Sequence, residues 1–243
     1  MNEVTEFQHL FDLQVDEWLT GYRKRGGQVY CKRGCSNCCS LVVNCSFPEA
    51  VWVARHLPDC YDKVLGDYVE RLVALATESK DLKGYLRNVR YYAGGCPFLE
   101  QDGACGIYSW RPLSCRALLS TAPAKFCAAD FPNMPQSEKQ AFLHSLDREA
   151  VRYPTAYVEI TQHLAQQLEQ LLLGSMQNEF GVSLSGNLPY LVWLERQHNI
   201  SLQLTRGQGE LLRSLALLNL EKRYLTELCR GKQRVHVTPH RES

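Results

Sequence analysis

The side chains with the clearest potential for chemistry are cysteines, of which the chain has eleven. Eight of them lie in two segments with short intervals between thiols: Cys31, Cys35, Cys38 and Cys39 in the first, and Cys96, Cys105, Cys115 and Cys127 in the second. Thiolates three or four residues apart can curl around one ion, as they do in zinc and iron–sulfur sites. We therefore predict that all eight are metal ligands, at one site or at two adjacent sites.

The type of ligand restricts the metal. Thiolate is a soft donor, which favours zinc, iron–sulfur clusters or monovalent copper and excludes calcium and magnesium. No histidine lies within either cysteine segment, so the sequence predicts sulfur-only ligation. The expected cofactor is an iron–sulfur cluster or Zn²⁺, and the sequence does not distinguish the two.

The adjacent pair Cys38 and Cys39 constrains any site. Neighbouring side chains diverge in most backbone conformations, so either one thiol turns into the core or the two serve different metal centres. Arg111 and Arg116 flank Cys115 and are predicted to be cofactor-binding residues, because guanidinium groups would offset the negative charge of a thiolate site.

The remaining cysteines and the nearby apolar residues have simpler interpretations. Three cysteines fall outside the spacing and are predicted to be packing residues: Cys45, Cys60 and Cys229. Three residues between the second-segment cysteines are predicted to shield the site from water: Phe98, Ile107 and Tyr108.

Apolar spacing predicts the elements that must position these residues. In the N-terminal half we expect helices over residues 6–25, 61–77 and 82–92, and a strand over residues 41–43. A further helix should begin at a capping box formed by Ser46 and Glu49, with Pro48 in the first turn. In the C-terminal half, a stripe of apolar residues from Tyr157 to Leu171 and a leucine-rich interval over residues 210–228 each predict a helix.

These elements predict a mostly α fold, with irregular cysteine-rich metal-binding loops between helices and a helical C-terminal half. A turn-rich stretch over residues 131–135 suggests a boundary. We expect a metal-binding domain over residues 1–130, a helical region over 131–230 packed on it, and a flexible tail over 231–243.

Composition excludes several classes of protein. The chain has 27 basic and 26 acidic residues, without the basic excess expected of a nucleic-acid binder. No run approaches the ~18 apolar residues of a membrane span, and the acidic N-terminus does not resemble a signal peptide. The expectations are a cytoplasmic protein with no nucleic-acid or membrane partner, and a protein partner on the C-terminal helices.

The complete motif resembles a known family. It runs Cys31-x3-Cys35-x2-Cys38-Cys39, Cys96-Pro97-Phe98-Leu99, Cys105-Gly106-Ile107-Tyr108 and Arg111-Pro112-x2-Cys115-Arg116. Over about residues 28–130 this pattern resembles the YkgJ-type cysteine-cluster family, which implies a bacterial, cytosolic, zinc- or iron-chelating protein. The larger flagellin lysine N-methylases are similar and carry the same cysteine pattern, and they suggest an iron–sulfur cluster.

The leading hypothesis is a metal-binding protein in a structural, metal-handling or electron-transfer role. The main alternative, from the resemblance, is an iron–sulfur-dependent enzyme that modifies protein lysines. A redox sensor, in which loss of metal frees thiols to form disulfides, is a third possibility. Cys31, Cys35 and Cys38 also have the spacing of a radical S-adenosylmethionine motif, but Asn37 replaces its usual aromatic residue and no strand–helix alternation follows.

Overall fold

A computed structural model describes residues 2–127, 129–151 and 155–231. These residues form ten α-helices and a small three-stranded sheet, which confirms the mostly α fold. The helices are α1 (Asn2–Lys24), α2 (Phe47–His56), α3 (Asp62–Glu78), α4 (Leu82–Asn88), α5 (Leu113–Arg116), α6 (Gln136–Ser145), α7 (Glu159–Phe180), α8 (Leu188–His198), α9 (Ile200–Thr205) and α10 (Gln208–Leu217). The strands are β1 (Asn44–Ser46), β2 (Val182–Asn187) and β3 (Thr226–Arg230).

The main core lies between the sheet and helices α2, α3 and α8. The sheet is antiparallel in the order β1–β2–β3, with Cys45 opposite Gly186 and Leu184 opposite Leu228. Leu72 of α3 and Leu191 of α8 are fully buried in this core. Segments before and after the second cysteine segment therefore share one apolar interior, whose burial is the main stabilising contribution.

A second core joins the two longest helices. Phe11 of α1 and Leu172 of α7 are each 1% exposed and pack in the same apolar cluster as Leu113 of α5. The short helix that carries Cys115 is thereby fixed against two long helices.

The predicted capping box at the start of α2 is confirmed. Glu49 Oε2 accepts hydrogen bonds from Ser46 N at 3.1 Å and Ser46 Oγ at 2.7 Å. The other oxygen, Oε1, accepts from Leu113 N at 2.8 Å. One buried carboxylate thus caps α2 and also holds the first residue of α5, two positions before Cys115.

Two predicted elements are wrong. Residues 41–43 are not a strand; the strand is β1, which begins at Asn44, where pairing with β2 becomes possible. The leucine-rich interval over residues 210–228 is not one helix, because α10 ends at Leu217 and β3 follows. Asn219 and Tyr224 adopt positive φ angles of 49° and 66°, which break the helix and turn the chain toward β2.

The predicted helix over residues 82–92 changes character near its end. Helix α4 stops at Asn88 and a π-helical turn continues over Val89–Ala93, ending at Gly94 with φ of 86°. Of the predicted tail, only Gly231 lies within the described residues. In the part of the chain that is described, no helix is long and apolar enough to cross a membrane.

Candidate metal centre

The first cysteine segment is fastened to the chain that leads to Cys127. Tyr30 N donates to Ser120 O at 2.9 Å, and Ser120 N donates to the Cys31 sulfur at 3.2 Å. Further along, Asn37 Nδ2 donates to Ala124 O at 2.6 Å. These bonds bring residues 30–37 alongside residues 120–124, so that Cys31 and Cys127 belong to one neighbourhood although they are distant in sequence.

The end of the first segment is fastened to the start of the second. Cys96 N donates to Cys39 O at 3.0 Å, and Leu99 forms an isolated antiparallel bridge with Cys105. The thiols of Cys96, Cys105 and Cys115 are half-buried against the main core. These contacts place the Cys39 backbone beside Cys96, and the charge of Cys38 raises the pKa of Cys96, Cys105 and Cys115.

Two glycines allow the loops to pass close to each other. Gly34 and Gly103 have φ angles of 80° and 77°, a left-handed conformation that other residues rarely adopt. A Cβ atom on Gly103 would lie 3.3 Å from the Gly34 carbonyl oxygen. The close approach holds the loop between Cys31 and Cys38 against the loop between Cys96 and Cys105.

Cys38 and Cys39 lie at the junction of these two neighbourhoods. Burial raises the pKa of Tyr157, and the charges of Cys127, Cys38 and Cys31 raise it further. Burial also raises the pKa of Tyr68, and the charges of Cys96 and Cys39 raise this pKa further. The two tyrosines therefore lie near different members of the adjacent pair.

Without a bound cation, burial and the charges of neighbouring thiols disfavour ionisation of the cysteines. Burial raises the pKa of Cys31 to about 11, and the charges of Cys127, Cys35 and Cys38 act in the same direction. Burial likewise raises the pKa of Cys96 to about 12, with smaller contributions from Cys105 and Cys38. Negative charges crowded in a half-buried site raise one another's pKa, and a bound metal ion would reverse that effect.

The two predicted arginines are placed differently. The Arg111 guanidinium lies 4.0 Å from the centre of the Tyr108 ring, and its charge offsets part of the rise in pKa that burial causes at Cys105 and Cys115. The Arg116 guanidinium instead donates to Asp12 of α1 at 2.7 and 3.0 Å. The structure brings Arg111 to the thiols and holds Arg116 on α1.

The predictions for packing and shielding residues agree with the structure for some residues and not for others. Cys45 is fully buried, as predicted for a packing residue, but Cys60 and Cys229 are exposed and that prediction is wrong for both. Phe98 and Ile107 are buried, whereas Tyr108 is 58% exposed, because its ring lies under Arg111 on the outer side of the loop.

The donor set fits a soft metal, although its geometry is not preformed. In residues 2–127, 129–151 and 155–231, no three His, Cys, Asp or Glu side chains are already arranged to hold one metal ion. Ligation therefore requires the thiols to turn toward a common point. The sulfur-only composition and the shared surroundings of the eight cysteines suit zinc or iron.

Sequence spacing did not indicate the residues that surround the thiols. Ser120, Tyr68 and Tyr157 follow no motif with the cysteines, and only the fold brings them there. A buried serine within a loop offers a weak signal at most, since serine is more often exposed.

The fold and the donor set define an α-helical protein with a cysteine-rich segment of the kind that chelates soft metals. Residues 30–141 match a family model named CxxCxxCC and described as "Putative zinc- or iron-chelating domain". The match supports metal binding as its function. Comparisons with curated proteins and with solved structures give no significant match.

Proposed function

We propose that the chain is a metal-binding protein with two four-thiolate centres. The first, here called the Cys31 group, consists of Cys31, Cys35, Cys38 and Cys127. The second, the Cys96 group, consists of Cys39, Cys96, Cys105 and Cys115. The observation that carries this proposal is the pair of backbone connections, Tyr30 to Ser120 and Cys96 to Cys39, with the adjacent cysteines at their junction.

The division uses each member of the adjacent pair once. The Cys38 and Cys39 thiols are hydrogen-bonded to each other, and because neighbouring side chains diverge in most backbone conformations, we expect the pair to separate between two centres when metal binds. The charge of Cys38 raises the pKa of Cys31 and Cys127 but also those of Cys96, Cys105 and Cys115, so Cys38 lies between the two groups. We assign Cys39 to the Cys96 group because its carbonyl accepts from Cys96 N, which leaves Cys38 for the Cys31 group.

Each group would hold Zn²⁺ or an iron–sulfur cluster, which supplies positive charge that stabilises the thiolates. Four thiolates give Zn²⁺ a net charge of −2, and Arg111 would offset part of it at the Cys96 group. The raised pKa values mean that binding displaces protons from the thiols, so affinity falls as the pH is lowered.

The role that fits best is structural. Between residues 25 and 43 the described chain forms turns and one short 3₁₀ helix, and between residues 94 and 127 it forms only short helical turns around the four-residue α5. Such loops gain little stability from secondary structure, whereas metal ligation contributes directly to folding. The metal would fasten both loops to the helical framework.

Metal analysis of matched cysteine variants tests the proposal. Protein purified without air should carry zinc or iron, and iron would be accompanied by inorganic sulfide and absorption near ~400 nm. Cys31→Ser and Cys115→Ser should each remove about half of the metal, and the double variant all of it. The exposed cysteines provide controls, since Cys60→Ser and Cys229→Ser should retain the full content.

Two outcomes would contradict the proposal. Absence of both metals from the wild-type chain would overturn metal binding itself. Loss of all metal in each single variant would retain metal binding but replace two centres with one shared centre.

Lysine modification, as in the flagellin methylases, stays a prediction from the resemblance. An enzyme of that kind needs a cavity beside an open metal position. Two cavities lie between α1 and α7, one beside Phe7 and Leu171 and the other beside Trp18 and Ile160, and no cysteine lines either of them.

A further inference from the structure

Arg90 lies on an unusual piece of backbone beside the adjacent cysteines. It belongs to the π-helical turn over Val89–Ala93, which packs against the 3₁₀ turn over Asn37–Ser40 that contains Cys38 and Cys39. Single π-helical turns are rare and occur frequently at functional sites. The turn ends three residues before Cys96. It therefore contacts the first cysteine segment and is followed directly by the second.

The guanidinium of Arg90 has a buried donor without an acceptor. Its Nε atom is inaccessible to solvent and has no hydrogen-bond partner among the described residues. The nearby acidic residue, Asp130, is occupied by other groups: it accepts from Tyr91 at 2.9 Å and lies 3.8 Å from Arg87. An unsatisfied buried N–H is costly, which suggests that an acceptor reaches this position in the loaded protein.

The charge of Arg90 reaches the surroundings of the Cys31 group. Tyr157 donates to Cys127 O at 2.7 Å. Burial and the charges of Cys127, Cys38 and Cys31 raise the pKa of Tyr157, and the positive charge of Arg90 opposes this rise. Arg90 thus acts on a tyrosine that contacts Cys127, and, like Arg111, it has a buried Nε without a partner among the described residues.

We propose that Arg90 is a positioning residue that donates a hydrogen bond from Nε to a thiolate of the Cys31 group when metal is bound. The inference rests on the proposed four-thiolate centres and adds a charge partner that the sequence motif does not contain. Donors of this kind orient metal-bound thiolates and disperse their negative charge.

Cobalt substitution in the full chain tests the role, because the sulfur-to-Co²⁺ charge-transfer band reports on hydrogen bonds to the thiolates. Removing a donor raises the energy of the sulfur electrons, so Arg90→Gln should move part of the band to longer wavelength. We also expect about half of the Co²⁺ to be released at roughly tenfold lower chelator concentration. Arg87→Gln, three positions earlier and paired with Asp130 on the surface, is the matched control and should behave as the wild-type chain.

Arg90→Lys keeps the positive charge but lacks Nε. If circular dichroism shows that Arg90→Gln is unfolded, Arg90→Lys provides the test instead. It should show the band shift and an intermediate release of Co²⁺. Wild-type spectra and release in Arg90→Lys, or in a folded Arg90→Gln, would overturn the inference while leaving the four-thiolate centres intact. A wild-type chain that binds no Co²⁺, zinc or iron would overturn the proposed function and this inference with it.

Discussion

The helical framework and the cysteine loops are stabilised in different ways. In the framework, formed by α2, α3, α8 and the sheet, side chains such as Leu72 and Leu191 are completely buried. In the loops around Cys31–Cys39 and Cys96–Cys127, seven of the eight cysteines are only half-buried and the elements are short turns. Hydrophobic burial stabilises the framework without a ligand, whereas the loops bring together thiols that repel one another when ionised. Under the proposed function, we therefore expect the loops to depend on metal and the framework not to.

Metal removal should have the largest effect and should be confined to one region. Structural zinc contributes on the order of 10–16 kcal/mol in small domains, so chelation should unfold the loops while α2 and α8 keep their protection. Hydrogen exchange with and without chelator measures this peptide by peptide. We expect loss of protection in peptides covering residues 28–41 and 94–127. Equal loss in α8 would mean that the two regions form one cooperative unit and would break the comparison.

A cavity in the framework should do the opposite: it should lower the stability of the fold and leave the metal content unchanged. Leu72 is fully buried in the main core, and Leu72→Ala should lower the free energy of unfolding by about 2–5 kcal/mol. Denaturant unfolding of the metal-free protein measures the change. Because Leu72 belongs to the framework core, the metal content per folded chain should equal that of the wild type. A variant that folds but loses its metal would show that the loops require an intact framework.

The framework shows which parts of the fold sequence reasoning can reach. The Ser46–Glu49 capping box and the helix over 61–77 were predicted because local hydrogen bonding and apolar spacing are legible along the chain. The interval over residues 210–228 misled because leucine-rich helices and strands share the same composition. The end of this interval forms a strand because it pairs with β2, which is over thirty residues away in sequence. Spacing alone does not reveal such a distant partner.

The site shows a similar limit. The cysteine spacing predicted a metal-chelating segment, and the match over residues 30–141 agrees with that prediction. The surroundings of the thiols were not predictable: Arg111 and Arg116 both flank Cys115 in sequence, but Arg111 packs on Tyr108 near the thiols and Arg116 pairs with Asp12 of α1. Tyr157 reaches the site through tertiary packing alone.

Glu49 connects the two regions, so its removal should affect both. Glu49→Ala leaves Leu113 N and Ser46 N without their acceptor in a buried position, and we expect a loss of about 2–3 kcal/mol in stability. Release of metal from the Cys96 group should also become faster, because α5 carries Cys115. Denaturant unfolding and timed chelation measure the two effects. Glu49→Gln keeps the side-chain volume and one acceptor oxygen but turns an NH₂ group toward the other backbone N–H, so it should lose part of this stability. A loss near zero in Glu49→Gln would show that packing volume, and not the hydrogen bonds, sets the cost of Glu49→Ala.

The smallest expected effect concerns a half-buried carboxylate on α7, next to Glu49 of the framework helix α2. Burial raises the pKa of Glu169 on α7 to about 8, and the neighbouring charge of Glu49 contributes in the same direction. Because this pKa lies above the value of 4.5 for an unburied glutamate, the folded chain holds the proton more tightly than the unfolded chain. The contribution of Glu169 is therefore most favourable below pH ~4.5 and is lost as the pH rises toward about 8.

Glu169→Gln removes this titration and keeps a hydrogen-bonding oxygen. At pH 8.5 we expect the variant to be more stable than the wild type by about 1–2 kcal/mol, less than full linkage would give because the side chain is partly exposed. Near pH 5 the difference should nearly vanish. Glu179→Gln, at an exposed position on the same helix, is the control and should follow the wild-type profile. Protons also compete for the thiols, but that competition is common to all three proteins, so the difference between their stabilities isolates the framework. A constant difference across this pH range would show that Glu169 does not titrate within it, which contradicts the raised pKa.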